Sequence, residues 1–208
     1  MKTPALTSAA PWAAPCALFL CALLASALPA RSAEPALSLT GGVSLHTPQG
    51  ATGVHPGPGW RAGFALPATI PAAELRIPLE WGFSLRTAKL RFDDSFNRAT
   101  FTDLQMPFLV HGDLFGWKYA EPLVMWTPSW TLDMSTRNSD GEEITATDAL
   151  RTRFNMSFGA GLQAVFHGFR LRAYTAYNLI PQIAGAEMTT SDWVLEVAVP
   201  LFTSRGNP

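Results

Sequence analysis

Four histidines, His46, His55, His111 and His167, are the side chains of this sequence best suited to moving a proton near neutral pH. A hydrolase would place one of them between a serine nucleophile and an acidic partner. His46 opens a Gly- and Pro-rich stretch, 47–58, and His55 lies within it beside Pro56. His111 and His167 fall at short turns. No spacing ties any of the four to a particular Ser or Asp. Two stretches, Asp93-Asp94 and Asp140-Gly141-Glu142-Glu143, are oxygen-rich enough to meet a divalent cation, yet they read as solvated loop tips. Gly159-Ala160-Gly161 lies inside an alternating segment and opens no helix, so it is no phosphate loop. Cys16 and Cys21 are the two cysteines, and both lie in the first 33 residues. Beyond them there is neither a thiolate nucleophile nor a thiolate metal site. No catalytic, cofactor-binding or metal-ligating residue is expected, and no cofactor.

The elements that would hold such residues are extended. From Glu74 to Arg86 the sequence alternates without a break. Leu75, Ile77, Leu79, Trp81, Phe83 and Leu85 share one face. Glu74, Arg76, Pro78, Glu80, Gly82, Ser84 and Arg86 share the other. Period two is the signature of a β-strand. A run this long exceeds the ~5–6 residues of an ordinary strand and fits the ~9–11 of a tilted membrane-spanning one.

Eight such segments follow in order: 37–46, 59–66, 74–86, about 101–111, about 116–130, 153–166, 169–179 and about 193–202. The fifth is the least regular, with Trp117, Tyr119, Leu123 and Met125 on one parity and Pro122 and Pro128 within it. The connections alternate in length. Those at 47–58, 87–100, 131–150 and 180–192 are long, and those at 67–73, 112–115 and His167-Gly168 are short. Long loops on one rim and short turns on the other describe an up-and-down barrel of the outer membrane. The predicted fold is all-β: an eight-stranded antiparallel transmembrane β-barrel spanning 34–208.

Residues 1–33 read as a cleaved signal peptide, with Lys2 followed by an uncharged Ala- and Leu-rich run and small residues near Ala27, Ala30 and Ala33 offering cuts. An acylated Cys21 is disfavoured, because Leu18-Phe19-Leu20 lacks small residues. Without Lys2 and Arg31, 13 basic residues face 16 acidic ones, a net charge near −3, which excludes a nucleic-acid partner. A barrel without cysteines draws its stability from a closed hydrogen-bond ladder instead.

Three features turn the apolar face outward, against the soluble lipocalin-like alternative. The polar face is rich in Gly and Ser, which suits a crowded lumen. It carries charges of both signs, which suits pairing across a narrow interior. Aromatics gather near segment ends, where membrane interfaces lie. The expected lumen network is Arg61, Arg76, Glu80, Asp103, Arg153, Arg170, Arg172 and Glu196. Leu75, Ile77, Leu79, Trp81, Phe83, Phe158, Leu162, Leu195 and Val197 are expected to face lipid.

The segment Phe101-Thr-Asp-Leu-Gln-Met-Pro107-Phe-Leu-Val110, the Gly-rich Phe158-Gly-Ala-Gly161-Leu-Gln163, the turn His167-Gly168 and then Leu171-Arg-Ala-Tyr174-Thr-Ala-Tyr177 are, in this order, similar to the PorT-like outer-membrane β-barrel family. The resemblance covers about 37–202 and implies a barrel with no assigned biochemistry. Two features depart from a standard barrel. Phe202 is followed by six more residues and lies off the parity of Val197 and Val199. Pro67, Pro78, Pro107, Pro122, Pro128 and Pro200 each delete a ladder donor, so some should mark bulges or strand ends. The expected role is structural, adhesive or envelope-interacting, exercised through outer loops above a closed polar lumen. A lipid A acyl hydrolase or transferase is the alternative. The expected partners are outer-membrane lipid and lipopolysaccharide, with periplasmic chaperones and the barrel-assembly machinery during insertion. The protein is expected to be a monomer.

Overall fold

The computed structural model describes residues 35–72, 75–93, 98–112, 120–138, 140–144, 152–166, 168–183 and 188–203, without side-chain detail at 35, 36, 71, 72, 75, 76, 144, 202 and 203. The expected signal peptide, Glu74, Asp94, Trp117, Tyr119 and His167 therefore lie outside the described residues, as do the side chains of Leu75, Arg76 and Phe202.

The strands are β1 (Pro35–Gln49), β2 (Val54–Ala72), β3 (Leu75–Phe92), β4 (Arg98–Gln105), β5 (Phe108–His111), β6 (Ala120–Arg137), β7 (Glu143–Ile144), β8 (Phe154–Val165), β9 (Arg170–Asn178) and β10 (Thr189–Thr203). Every pairing is antiparallel. β4 and β5 are two halves of one stave, since both pair with β3 and with β6. Pro107, which has no N–H to give, sits in the break between them. β7 is a two-residue return pair on the end of β6. The remaining staves pair in chain order, and β1 pairs with both β2 and β10. The ring is therefore closed: eight staves with no free edge.

The closed ring has two rims. The start of β1 and the end of β10 lie at the near rim, with the β8–β9 hairpin. There the β8–β9 hairpin is closed by Phe166 N–H donating to Phe169 O at 3.0 Å, with the two rings stacked 4.7 Å apart. At the far rim the strands run on well past the expected segments. The stretch read as a twelve-residue loop at 47–58 is mostly strand, and the β1–β2 turn is only Gly50–Gly53. Both of those glycines have positive φ, 80° and 71°, which a Cβ would disfavour. Of the prolines of this stretch, Pro48 pairs with Thr190 in β1, and Pro58 falls in a register shift of β2 between Pro56 and Trp60. A second irregularity in the β1–β10 pairing falls at Pro200, where the register steps from Leu37↔Phe202 to Ser38↔Pro200.

The outer face is apolar around the middle of the ring. Phe64, Leu85, Val124, Trp126, Phe158, Leu162, Leu195 and Val43 are all exposed. Phe108, Trp126 and Phe158 stack side by side across three staves. The irregular fifth segment is corrected here. Leu123 and Met125 point inward and are buried, whereas Val124 and Trp126 face out. The small neighbours of that segment, Gly159 and Ala176, leave lumen space that Met125 fills.

Candidate functional site

The interior carries the chemistry, and it is organised by register. Cross-strand partners link Glu121↔Gln163, Gln163↔Arg172, Arg172↔Glu196, Glu196↔Gly42, Gly42↔Arg61, Arg61↔Arg86, Arg86↔Asp103 and Asp103↔Thr131. This row crosses all eight staves once. It leaves β6 at Glu121 and returns to β6 at Thr131, ten residues further along, which is the stagger required to close a tilted sheet. One winding row of inward positions thus collects polar side chains from seven of the eight staves.

Gly42 is the one position in the row without a side chain. A Cβ there would stand 2.5 Å from Leu195 O and 2.9 Å from Glu196 Cα. Gly82 and Gly161, also inward, are tighter still, with a Cβ position 1.9 Å from Phe64 O and 2.2 Å from Ala173 O. The small residues of the polar face are therefore required by the curvature of the wall.

On the near-rim side, Arg172 is the centre. Its Nη2 donates to Glu80 Oε2 at 2.5 Å, its Nη1 to Glu196 Oε1 at 3.1 Å and its Nε to Gln163 Oε1 at 2.8 Å. Arg170 also donates to Glu80. His111 lies between Glu80 Oε1 at 3.2 Å and Glu121 Oε2 at 2.8 Å, and Gln163 Nε2 donates to Glu121 at 3.0 Å. Arg61 donates to the Tyr174 hydroxyl and, at 2.5 Å, to Gln105 Oε1.

On the far-rim side, Arg86 holds Asp192 at 3.0 Å and Asp103 at 3.8 Å. Thr131 Oγ1 donates to Asp103 at 2.9 Å. His46 Nδ1 stands 2.7 Å from Asp192 Oδ1, and its Nε2 stands 2.8 Å from Gln182 Oε1. Arg61 and Arg86 are like charges directly opposite in register. They lean apart, Arg61 toward Glu196 and Tyr174, Arg86 toward Asp192 and His46.

Above this layer the interior becomes apolar. Leu90, Ala99, Phe101 and Met188 form a buried cluster, with Ala51, Val54, Phe92, Met134 and Ile183 packed against it. Cavities inside the barrel are of about 10 Å³ and about 20 Å³. Each is the size of about one water. The described lumen is therefore filled by its own side chains. Four arginines (Arg61, Arg86, Arg170, Arg172) face four carboxylates (Glu80, Asp103, Asp192, Glu196), so the buried charge balances before the rim pair His111–Glu121 is added.

Seven of the eight residues expected in the lumen have described side chains. Arg61, Glu80, Asp103, Arg172 and Glu196 are buried within it, and Arg170 is partly buried at its near end. Arg153 is exposed at the far rim, because β8 begins only at Phe154 and the wall no longer encloses it. Arg76 has no described side chain. Of the outward set, Phe158, Leu162 and Leu195 are exposed, while Ile77, Leu79, Trp81, Phe83 and Val197 are half-buried on the same outer face among large neighbours. His46 is corrected. It is no loop residue but a fully buried one, at 0 % exposure.

Sequence reasoning did not gather Arg86, His46, Asp192, Gln105, Gln163 and Tyr174 into the network. Arg86, Gln105, Gln163 and Tyr174 did lie on the polar parity of their segments. His46 and Asp192 fell in stretches read as loops.

His46 and Asp192 make the base–acid half of a hydrolytic triad. The position beyond Nε2 is held by Gln182, an amide and no nucleophile. The pair faces the lumen beneath the apolar cluster, away from the outer face where acyl chains would run. His55 pairs with Asp93 at 2.7 Å in the open at the far rim. Among the described residues, no three His, Asp or Glu side chains converge as a metal site.

A ring closed by its first and last strands, apolar outside and charged inside, defines a membrane-type β-barrel, the inverse of a lipocalin-like one. No family model matches the chain, and no curated protein does. Solved structures do. The crystal structure of Neisserial surface protein A (NspA) matches at a TM-score of 0.53 and 11% identity, covering 82% of this chain and 99% of that one. Ail, the attachment invasion locus protein of Yersinia pestis, matches at 0.46 and 12%, covering 80% and 98%. The outer membrane enzyme PagL matches at 0.45 and 8%, covering 79% and 99%. At these identities the likeness to NspA concerns the fold, an eight-stranded barrel.

Proposed function

We propose that this chain is an outer-membrane β-barrel whose role is structural, adhesive or envelope-interacting. It acts through its far rim, with the lumen closed to solutes. The observation that carries the reading is the winding row of paired charges beneath the Leu90–Phe101 cluster, because the cavities that the described residues leave within it are each the size of about one water. The near rim, with the β8–β9 hairpin, the start of β1 and the end of β10, faces the periplasm, and the far rim faces outward. The barrel works as a monomer, since its ring needs no partner strand. Its export is by the segment 1–33. The motif order along β4–β5 and β8–β9 supports the finer PorT-like reading, and the His46–Gln182 contact weighs against a lipid A-modifying enzyme.

Two measurements on full-length protein test this. On membrane fractionation the protein should travel with the outer membrane; recovery in the soluble periplasm would refute it. Purified barrel whose insertion is verified by heat-modifiable gel mobility should give no conductance steps in a planar bilayer. Stable open steps would refute the closed lumen.

A further inference from the structure

On the side of the barrel formed by β2, β3, β4 and β6, the strands continue above the apolar belt, and their outward positions turn basic. Above Leu85 on β3 the outward residues are Thr87, Lys89 and Arg91. His55 pairs in register with Arg91, and Arg98 with Arg137. Arg91 and Arg98 are the next residues beyond the cross-strand partners Leu90↔Ala99. One row thus runs His55, Arg91, Arg98, Arg137 across four adjacent staves. At a spacing of ~4.8 Å per strand it is about 14 Å wide. Lys89 lies just below it, opposite Thr100. Arg91, Arg98 and Arg137 are exposed.

Among the described residues the acids nearby have definite places; Asp94, in the stretch between β3 and β4, lies outside them. Asp93 is taken by His55, Glu143 faces Arg137 across the β6–β7 pair, and Asp133 lies lower, opposite Thr102. Lys89, Arg91 and Arg98 have no carboxylate opposite them. Like charges set side by side on a sheet cost stability, so a row of this kind favours an anion between its members. The other side of the barrel differs. There Phe154, Tyr177, Leu179 and Trp193 carry the apolar surface to the end of the strands, with Arg153 as the base near it. Among the described residues the basic row is therefore confined to one side, directly over the apolar belt.

We propose that Lys89, Arg91 and Arg98 form a binding site for the phosphate groups of an anionic membrane lipid. This site rests on the outer-membrane reading above, with the far rim in the outer leaflet. The test uses full-length protein folded in a maltoside detergent, which carries no phosphate of its own. Diphosphoryl and monophosphoryl lipid A are compared as ligands by native mass spectrometry. Wild type should retain the diphosphoryl form at least about tenfold more tightly. The double variant R91Q/R98Q should lose that preference, R91K/R98K should keep most of it, and R153Q should leave it intact. Heat-modifiable mobility verifies that each variant is folded. An unchanged preference in R91Q/R98Q, or an equal loss in R153Q, overturns the site. Competition by inorganic phosphate at the same concentration as lipid A would also overturn it, since the ligand would then be free phosphate. A protein found in the membrane fraction but lacking the preference refutes this site alone. A protein absent from the membrane fraction refutes the reading beneath it.

Discussion

Arg172 on β9 and Glu80 on β3 sit on opposite staves of the eight-membered ring and are joined by a 2.5 Å hydrogen bond across its interior. This contact spans the lumen where a pore would have to pass. Replacing Arg172 by Met should strand Glu80 and Glu196 without their main partner. The cost of breaking such a buried pair is about 3–5 kcal/mol, read by urea unfolding of the barrel in lipid vesicles. The double variant R172M/E80Q should cost less than the sum of its singles. Additive losses would mean that the two side chains do not interact.

Asp192 serves two partners, Arg86 and His46, and through His46 it reaches Gln182 in the segment after β9. That segment is also held by Asn155 Nδ2 donating to Ile180 O at 2.9 Å. Asp192→Asn should loosen the tie while β8 and β9 stay paired. Limited proteolysis of intact outer-membrane vesicles should then cut near 180–188 faster than in wild type. An unchanged cleavage rate would show that the far-rim segment is anchored by other contacts.

Phe101 is fully buried in the apolar cluster that closes the far end of the lumen. Phe101→Ala should cost about 3–5 kcal/mol by the loss of its packing. The comparison is Leu132→Ala on the outer face, where the side chain is half exposed and the cost should be well under that. Equal losses at the two sites would contradict a packed plug.

Leu162 stands mid-strand on the outer face, 50 % exposed. An arginine there should destabilise the inserted barrel by about 2–4 kcal/mol, whereas Thr100→Arg, above the belt, should change stability by about 1 kcal/mol or less. Similar effects at both positions would place the belt elsewhere.

The alternation of Ile77 to Leu85 was enough to reveal a strand and its two faces, because a membrane outside and a charged interior keep one polarity over nine residues. The same strand continues as Thr87-Ala88-Lys89-Leu90-Arg91-Phe92, and here the polarity inverts: Ala88 and Leu90 are buried inside, and Lys89 and Arg91 lie outside. The strand has left the membrane and behaves like one of a water-soluble barrel, with its apolar side inward. Read with one rule throughout, the pattern stops at Arg86, and the strand beyond it looks like loop. The winding row was hidden for a different reason. All of its members except Glu121 and Thr131 sit on a polar parity, but which glutamate meets which arginine depends on the stagger of the closed ring. That quantity is set by the sum of all eight registers and by no single segment.

The account stands or falls on which side of the wall meets lipid. Nitroxide labels placed singly at Leu195→Cys and Lys89→Cys in bilayer-inserted protein would report it through collision with molecular oxygen, which concentrates in hydrocarbon, and with a nickel chelate, which stays in water. The label at Leu195 should be open to oxygen and shielded from nickel, and the label at Lys89 should show the reverse. Nickel access at both positions would describe a soluble barrel and contradict the inside-out arrangement.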